Sequence, residues 1–382
     1  MRQMRSRLVQ HVFAFSAVLA LAPSGCAPAA PAPDAPAKPA AAQPAAAAVP
    51  GNPAAPFMSE DSAEWKAIEA AARKEGEITV YGTDMLPSSM DRYLAAFHES
   101  YGVKVNWVGG TGDRTVQRTL AEKDARRPVA SALTAGDSNM YPLYQEGVLL
   151  DLTGLPNAAR IHPVDFEILD ESKNHYLPWY NPVFGVYVNT QQVAAADEPK
   201  NWKDLLDPRW KGKIVMNDPG LSSSGNTVFT VAVKAPGYGE EFFKQLARQD
   251  LMFVAAAQEV DAIVARGERA VGLPGQAKGT VRQRGSPLKL LTMADGMVWT
   301  VHTLAAVKDS PAPNAARVLL NWLLSPELQA LLANEQLEVP STIGISNPLG
   351  FAIENLKPLG PGRPDPSVRS ATTTTAREIF GR

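Results

Sequence analysis

The segment Pro219-Gly-Leu-Ser-Ser-Ser-Gly225 holds the densest set of anion-seeking groups in the chain. It follows an apolar strand-like run at 213–216 and leads into a helical pattern at 227–233. Backbone N–H groups at a helix start, with serine hydroxyls beside them, attract phosphate or carboxylate. A serine here equally serves as a plain helix N-cap, and spacing alone does not separate the two roles of Ser222, Ser223, Ser224 and Gly225. Three more polar loops, Gly82-Thr-Asp-Met85, Gly109-Gly-Thr-Gly-Asp113 and Gly136-Asp-Ser-Asn139, each follow a strand-like run. Ligands of α/β folds collect at the carboxyl ends of strands. Thr83, Thr111 and Ser138 are therefore candidate contacts, weighed against ordinary turn residues. Asp84, Asp113 and Asp137 are the acids that could converge on a hard cation.

Covalent catalysis needs an activated nucleophile and a base. The single cysteine, Cys26, lies near the start of the chain, and the serine loop lacks a Gly-x-Ser-x-Gly elbow. His11, His98, His162, His175 and His302 show no His-x-x-x-His zinc spacing. His98 and His302 read as structural residues of a helix and a strand. No Walker loop is present, so any ATP is spent by a partner. With 37 basic and 39 acidic residues the net charge is −2, which gives no reason to expect nucleic acid as a partner. The expectation is a binding protein without a cofactor, and not an enzyme; a monomer is expected.

The elements that must position the loops alternate. A helical stretch with Trp65, Ile68, Ala71 and Ala72 on one face ends at Gly76. A strand at 78–81, a helix at 90–100, a strand at 103–108 and a helix from about Asp113 follow. Further strands are expected at 129–135, 184–188, 213–216, 251–254, 270–273, 288–291 and 299–307, and further helices at 201–206, 227–233, 259–266, 314–324 and 327–334. Strand–loop–helix repetition means an α/β fold. About 320 residues remain after the N-terminal segments, more than one core usually holds, so two lobes are expected.

Those N-terminal segments read as an export signal. Arg2, Arg5 and Arg7 precede an apolar run at 12–22 that is shorter than the roughly 20 residues a membrane helix needs. Leu21-Ala-Pro-Ser-Gly-Cys26 then resembles a bacterial lipobox, although Pro23 stands where a branched apolar residue is usual. Cys26 is thus a candidate for lipidation and a membrane anchor, with simple signal cleavage as the alternative. Residues 27–59 are rich in Ala and Pro, a composition that reads as a disordered tether. About 30 such residues reach up to roughly 90 Å when extended.

Four stretches together resemble the bacterial extracellular solute-binding proteins of ABC importers, in particular the branch with periplasmic ferric-ion-binding proteins. They are Glu77-Ile-Thr-Val-Tyr81 with Ala96-Phe-His-Glu-Ser-Tyr-Gly-Val-Lys-Val105, Val186-Tyr-Val-Asn-Thr190, the specific run Asn201-Trp-Lys-Asp-Leu-Leu-Asp-Pro-Arg-Trp-Lys-Gly-Lys-Ile214, and the helix pair around Ser325-Pro-Glu327. The resemblance spans about residues 64–345. It implies a two-lobed type II periplasmic-binding fold, with two mixed sheets flanked by helices, a hinge, and the ligand between the lobes. Lobe one is expected to hold 60–182 and 295–333, and lobe two 183–294 and 334–382, with crossings near Pro182 and near Asp295. Ferric-binding relatives place paired tyrosines after a strand such as Ala270-Val-Gly-Leu273. Here Pro274-Gly-Gln-Ala-Lys278 follows, so Gln276 is expected to face the cleft without a metal. Trp179 and Tyr180, just before the crossing, are candidates to stack on an organic ligand or to pack the hinge. Glu259 reads as an exposed first-turn acid. The implied function is capture of a small anionic organic solute, such as a sugar phosphate, phosphonate or carboxylate, for ABC permease subunits in the periplasm. A ferric-ion or metal-complex binder, or a ligand-presenting partner of a membrane sensor, is the alternative.

Overall fold

Short apolar runs separated by amphipathic stretches fold into two mixed sheets in the computed structural model. It describes residues 57–381 except 84–86, 164, 166–171, 173, 222 and 361–367. The expected signal, Cys26, the expected tether up to residue 56, Asp84 and Ser222 lie outside the described residues. In chain order the strands are β1 (Glu77–Gly82), β2 (Lys104–Gly109), β3 (Ala132–Gly136), β4 (Tyr176–Asn181), β5 (Val183–Asn189), β6 (Ile214–Asn217), β7 (Met252–Val254), β8 (Val271–Gln276), β9 (Leu288–Leu291), β10 (Val298–Trp299), β11 (His302–Ala306) and β12 (Val339–Pro340).

The first sheet runs β12-β4-β11-β3-β1-β2. Its β1, β2 and β3 are parallel, while β11 and β12 pair antiparallel with their neighbours. The second runs β10-β5-β8-β6-β7, with β9 pairing β5 beside β10. Here β6, β7 and β8 are parallel. Side chains alternate across the first sheet. Ile78, Val80, Ala132, Leu304 and Ala306 enter one core, and Tyr81, Leu133, Ala135 and Ala305 enter another on the opposite face. Both faces are covered, as a sheet with parallel strands requires. The second sheet has its own core, which includes Trp202, Phe229 and Phe243.

Local chemistry sets the helix ends. The helix Ala63–Glu75 begins where the Ser62 hydroxyl accepts the Trp65 N–H, and stops at Gly76 with φ 72°. Among the described residues no helix is long and apolar enough to cross a membrane. The tail forms the helix Arg369–Phe380, which packs on the second-sheet helices Ser224–Ala232 and Gly239–Leu246. Its Arg377 Nε donates to the Gly220 carbonyl at 2.9 Å, tying the tail to the serine loop.

Two expectations fail here. The run 299–307 is not one strand. Residues Val298–Trp299 pair with β5 in the second sheet, and His302–Ala306 lie between β3 and β4 in the first. The chain therefore passes between the sheets at Thr300 and Val301, a few residues beyond Asp295, as well as at Pro182. The whole of β4 is an additional strand, placed next to the centre of the first sheet.

Close to the Pro182 passage a carboxyl group is shut inside the protein. Asp165 is fully buried and accepts the Asn181 Nδ2–H at 3.0 Å. Burial pushes this carboxyl up to about 6, against hydrogen bonds from Asn181 and Ser341 that lower it. A raised acid pKa means that the folded state holds the proton more tightly than the unfolded one. Asp165 therefore costs nothing below about pH 4, its cost grows between about pH 4 and 6, and it levels off above that. Asp165→Asn should raise stability at pH 7, by on the order of 3 kcal/mol from the size of the shift, and leave it nearly unchanged at pH 4. Chemical denaturation of both proteins at the two pH values checks this, and equal differences at both would refute it.

Candidate functional site

The carboxyl ends of the parallel strands of both sheets open onto one cavity of about 630 Å³. From the first sheet come Thr83 after β1, Gly110 to Asp113 after β2, and Gly136 to Asn139 after β3. The second sheet contributes Asn217 at the end of β6, Ala255 to Gln258 after β7, and Gln276 at the end of β8. Pro182, Phe184 and the passage from Met297 to His302 close the hinge side. Such crevices outside strand carboxyl ends are where open α/β sheets bind ligands.

Four helices of at least eight residues begin at this cavity. Their N-cap residues Thr111, Gly136, Ser223 and Ala256 all line it. Each helix start carries roughly half a positive charge. On the first-sheet wall Asp113 and Asp137, in the first turns of their helices, offset that charge. On the second-sheet wall the helix Ser224–Ala232 has no acid in its first turn. Glu259 does not line the cavity, and its carboxylate accepts the Ala256 N–H at 3.0 Å. Glu259 thus offsets the start of the helix Ala257–Arg266, and of the four helix starts only that of Ser224–Ala232 has no acid in its first turn.

The serine loop is built from the end of β6 outwards. Asn217 Oδ1 accepts the Ser224 hydroxyl at 2.8 Å and the Gly225 N–H at 3.0 Å. Ser223 is the N-cap, taking the Asn226 N–H at 3.2 Å and donating its own proton to the Asp218 carbonyl at 2.7 Å. Both serine hydroxyls thus have internal partners within the loop and the helix start. Across the cavity, Thr83 Oγ1 lies 2.8 Å from His302 Nε2. The His302 ring stacks on Tyr180, with centroids 4.8 Å apart and planes 7° apart. Behind β8, the Tyr187 hydroxyl donates to the Gln276 carbonyl, and burial pushes that phenol up.

Of the expected residues, Thr83, Thr111, Ser138, Ser223, Ser224 and Gln276 line the cavity, together with Asp113 and Asp137. Tyr180 and Trp179 do not. Both are buried in the first-sheet core, and Tyr180 reaches the site only through His302. Gly225 does not line it either, and its Cβ direction runs into the Asn217 backbone. Sequence reasoning missed Asn139, Asn217, Asn226, Lys278, Trp299 and His302, all in the lining. For His302 the available signal was the switch between sheets two residues earlier, which pattern alone hides. Among the described residues no three His, Cys, Asp or Glu side chains gather as a metal-holding group, and no tyrosine lines the cavity.

Residues 133–356 match the family of bacterial extracellular solute-binding proteins. The chain is 24% identical over 268 residues to a putative 2-aminoethylphosphonate-binding periplasmic protein of Salmonella paratyphi A, covering 67% of this chain and 76% of that one. Among solved structures it resembles the periplasmic binding protein AfuA of Actinobacillus pleuropneumoniae with fructose-6-phosphate bound. That match has a TM-score of 0.60 and 22% identity, over 80% of this chain and 97% of the other. Iron-bound HitA of Pseudomonas aeruginosa superposes with a TM-score of 0.65 and 20% identity, over 79% and 99%. At these identities the structures speak for the shared two-lobed fold, not for a shared ligand. The family match spans more than half of the chain, and with two mixed sheets around one cleft it makes this protein a member of the bacterial extracellular solute-binding proteins.

Proposed function

We propose that this protein is the periplasmic receptor of an ABC import system, and that it captures a small organic anion carrying a phosphate, phosphonate or carboxylate. The observation that carries this reading is the second-sheet wall. There an acid-free helix start, the serine cap and Lys278 border one solute-sized cavity. Amide and ammonium donors in a partly enclosed site favour an anion that needs no chemical change. The names of a phosphonate-binding relative and of a sugar-phosphate complex are in keeping with it.

The lobes divide at Pro182, at Thr300 and Val301, and after Pro340, and they close by bending at these passages. Thr83, Thr111, Ser138, Gln276 and the backbone N–H of Ser224 are the contacts we assign to the solute. Ser223 shapes the wall as the helix cap. Export through residues 1–26, lipidation at Cys26 and an extended tether would hold the receptor near its permease subunits.

A ligand that binds only the folded state raises stability by mass action, by about 2.7 kcal/mol at a hundred times its Kd. In a thermal-shift screen of phosphate monoesters, phosphonates, carboxylates, polyols and ferric salts, members of the first three groups should raise the melting temperature. A rise confined to polyols or to ferric salts would reject the anion reading.

A further inference from the structure

Lys278 sits in the second turn-forming position after β8, on the short helix Ala277–Arg282, and lines the cavity while only 8% exposed. Its Nζ lies 3.5 Å from Glu338 Oε1, with side chains 10% and 4% exposed. Glu338 lies where the chain passes between the lobes, with Leu337 and Val339 packed on the second-sheet core. It immediately precedes β12, which pairs with Asn181 and Tyr180 of β4 in the first sheet. The pair therefore sits at the passage between the two lobes, beside the solute cavity.

Two features set this lysine apart from an ordinary buried ion pair. An ammonium has three donors, yet among the described residues Lys278 makes the ion pair and no hydrogen bond. Hiding two charges costs several kcal/mol per ion, and attraction repays it only when hydrogen bonds satisfy both groups. Lys278 is also the only Lys or Arg in the cavity lining among the described residues. The neighbouring Arg282 lies outside it and is held by the fully buried Asp261, with Nη2 2.7 Å from Oδ2. Burial holds that aspartate above its ordinary pKa, while Arg282 draws it down.

We infer that Lys278 determines charge specificity. It donates to the anionic group of the bound solute, and Glu338 holds the ammonium in place while tempering its charge. This rests on the anion reading above. Removing the ammonium should cost an organic anion a charged hydrogen bond, roughly 10- to 100-fold in affinity. Neutralising Glu338 leaves the donors and strengthens the local positive field, so anion affinity should hold or rise.

The test is calorimetric titration of the full chain with glycerol 3-phosphate, methylphosphonate, succinate and inorganic phosphate, and with glycerol as the neutral control. It compares wild type with Lys278→Met, Glu338→Gln and the double variant, which leaves no lone buried charge and so guards against misfolding. Loss of anion binding in both proteins lacking Lys278, with binding kept or tightened in Glu338→Gln, is the expected result. Equal loss in all three variants would make the pair a strut between lobes and overturn the inference. Unchanged binding in all three would overturn it while leaving the anion reading intact. Failure of wild type to bind any of the four anions would refute the anion reading and, with it, the assigned role of Lys278.

Discussion

Gly225→Ala should destabilise the protein by at least about 3 kcal/mol and abolish solute binding at the second-sheet wall. A Cβ at this position would lie 1.9 Å from the Asn217 carbonyl oxygen, 2.8 Å from its carbon and 3.3 Å from the Pro219 nitrogen. All three are backbone atoms, so no rotamer change relieves the clash. The helix start must move off β6. That movement strains the bonds from Ser224 and Gly225 to Asn217, and the 2.9 Å bond from Asn226 Nδ2 to the Pro219 carbonyl. Alanine is the better helix former by about 1 kcal/mol, but overpacking costs 1–3 kcal/mol and each buried hydrogen bond lost adds about 1 or more. The clash wins. Denaturant midpoints together with titration of the solute found in the screen check this, and a wild-type midpoint would contradict it.

Trp202→Ala should cost about 3–5 kcal/mol, the range for emptying a large aromatic site. Trp202 is 1% exposed in the second-sheet core. Its indole N–H donates to the buried Gly296 carbonyl at 2.9 Å, and its backbone N–H donates to Asp295 Oδ2 at 3.0 Å. Gly296 has φ 134°, and a side chain there would meet Pro358 and Leu359 backbone atoms at 2.7 Å. Trp202 thus anchors the passage that runs on into Met297, Val298 and Trp299 of the cavity lining. Binding should weaken along with stability. Trp202→Phe should recover much of the packing yet leave the Gly296 carbonyl without its donor, a cost of about 1–3 kcal/mol. Urea unfolding of both variants separates the two contributions, and equal loss in both would assign the whole effect to the hydrogen bond.

The Asn201–Ile214 run that marks the family in the sequence is therefore mostly structural, and its tryptophans hold the second lobe together. Strands with parallel neighbours were legible because each is a short apolar run followed by a small polar loop, as at Tyr81–Thr83 and Val108–Thr111. β4 was not. All six of its residues are buried, so no alternation shows, and Pro178 argues against a strand. That proline pairs with Thr303 beside an irregularity in the β4–β11 register, where a missing N–H is tolerated. The break at Thr300 was hidden for a similar reason, since Val298, Val301 and His302 on either side are equally buried. The loop residues of the site were readable from their position after strands. His302 and Lys278 were not, because a strand histidine and a helix lysine become site residues only through the meeting of distant elements.

β11 lies in the middle of the first sheet, between β3 and β4, yet it is drawn from residues 302–306, after every strand of the second sheet. As the polypeptide emerges from its start, the lobe whose residues come out earliest must wait longest for its centre. Until residue 306 is available, β3 and β4 each present an open edge to any neighbouring chain. The second sheet has all its strands by residue 299. During synthesis the later-encoded half can thus complete its sheet before the earlier one closes.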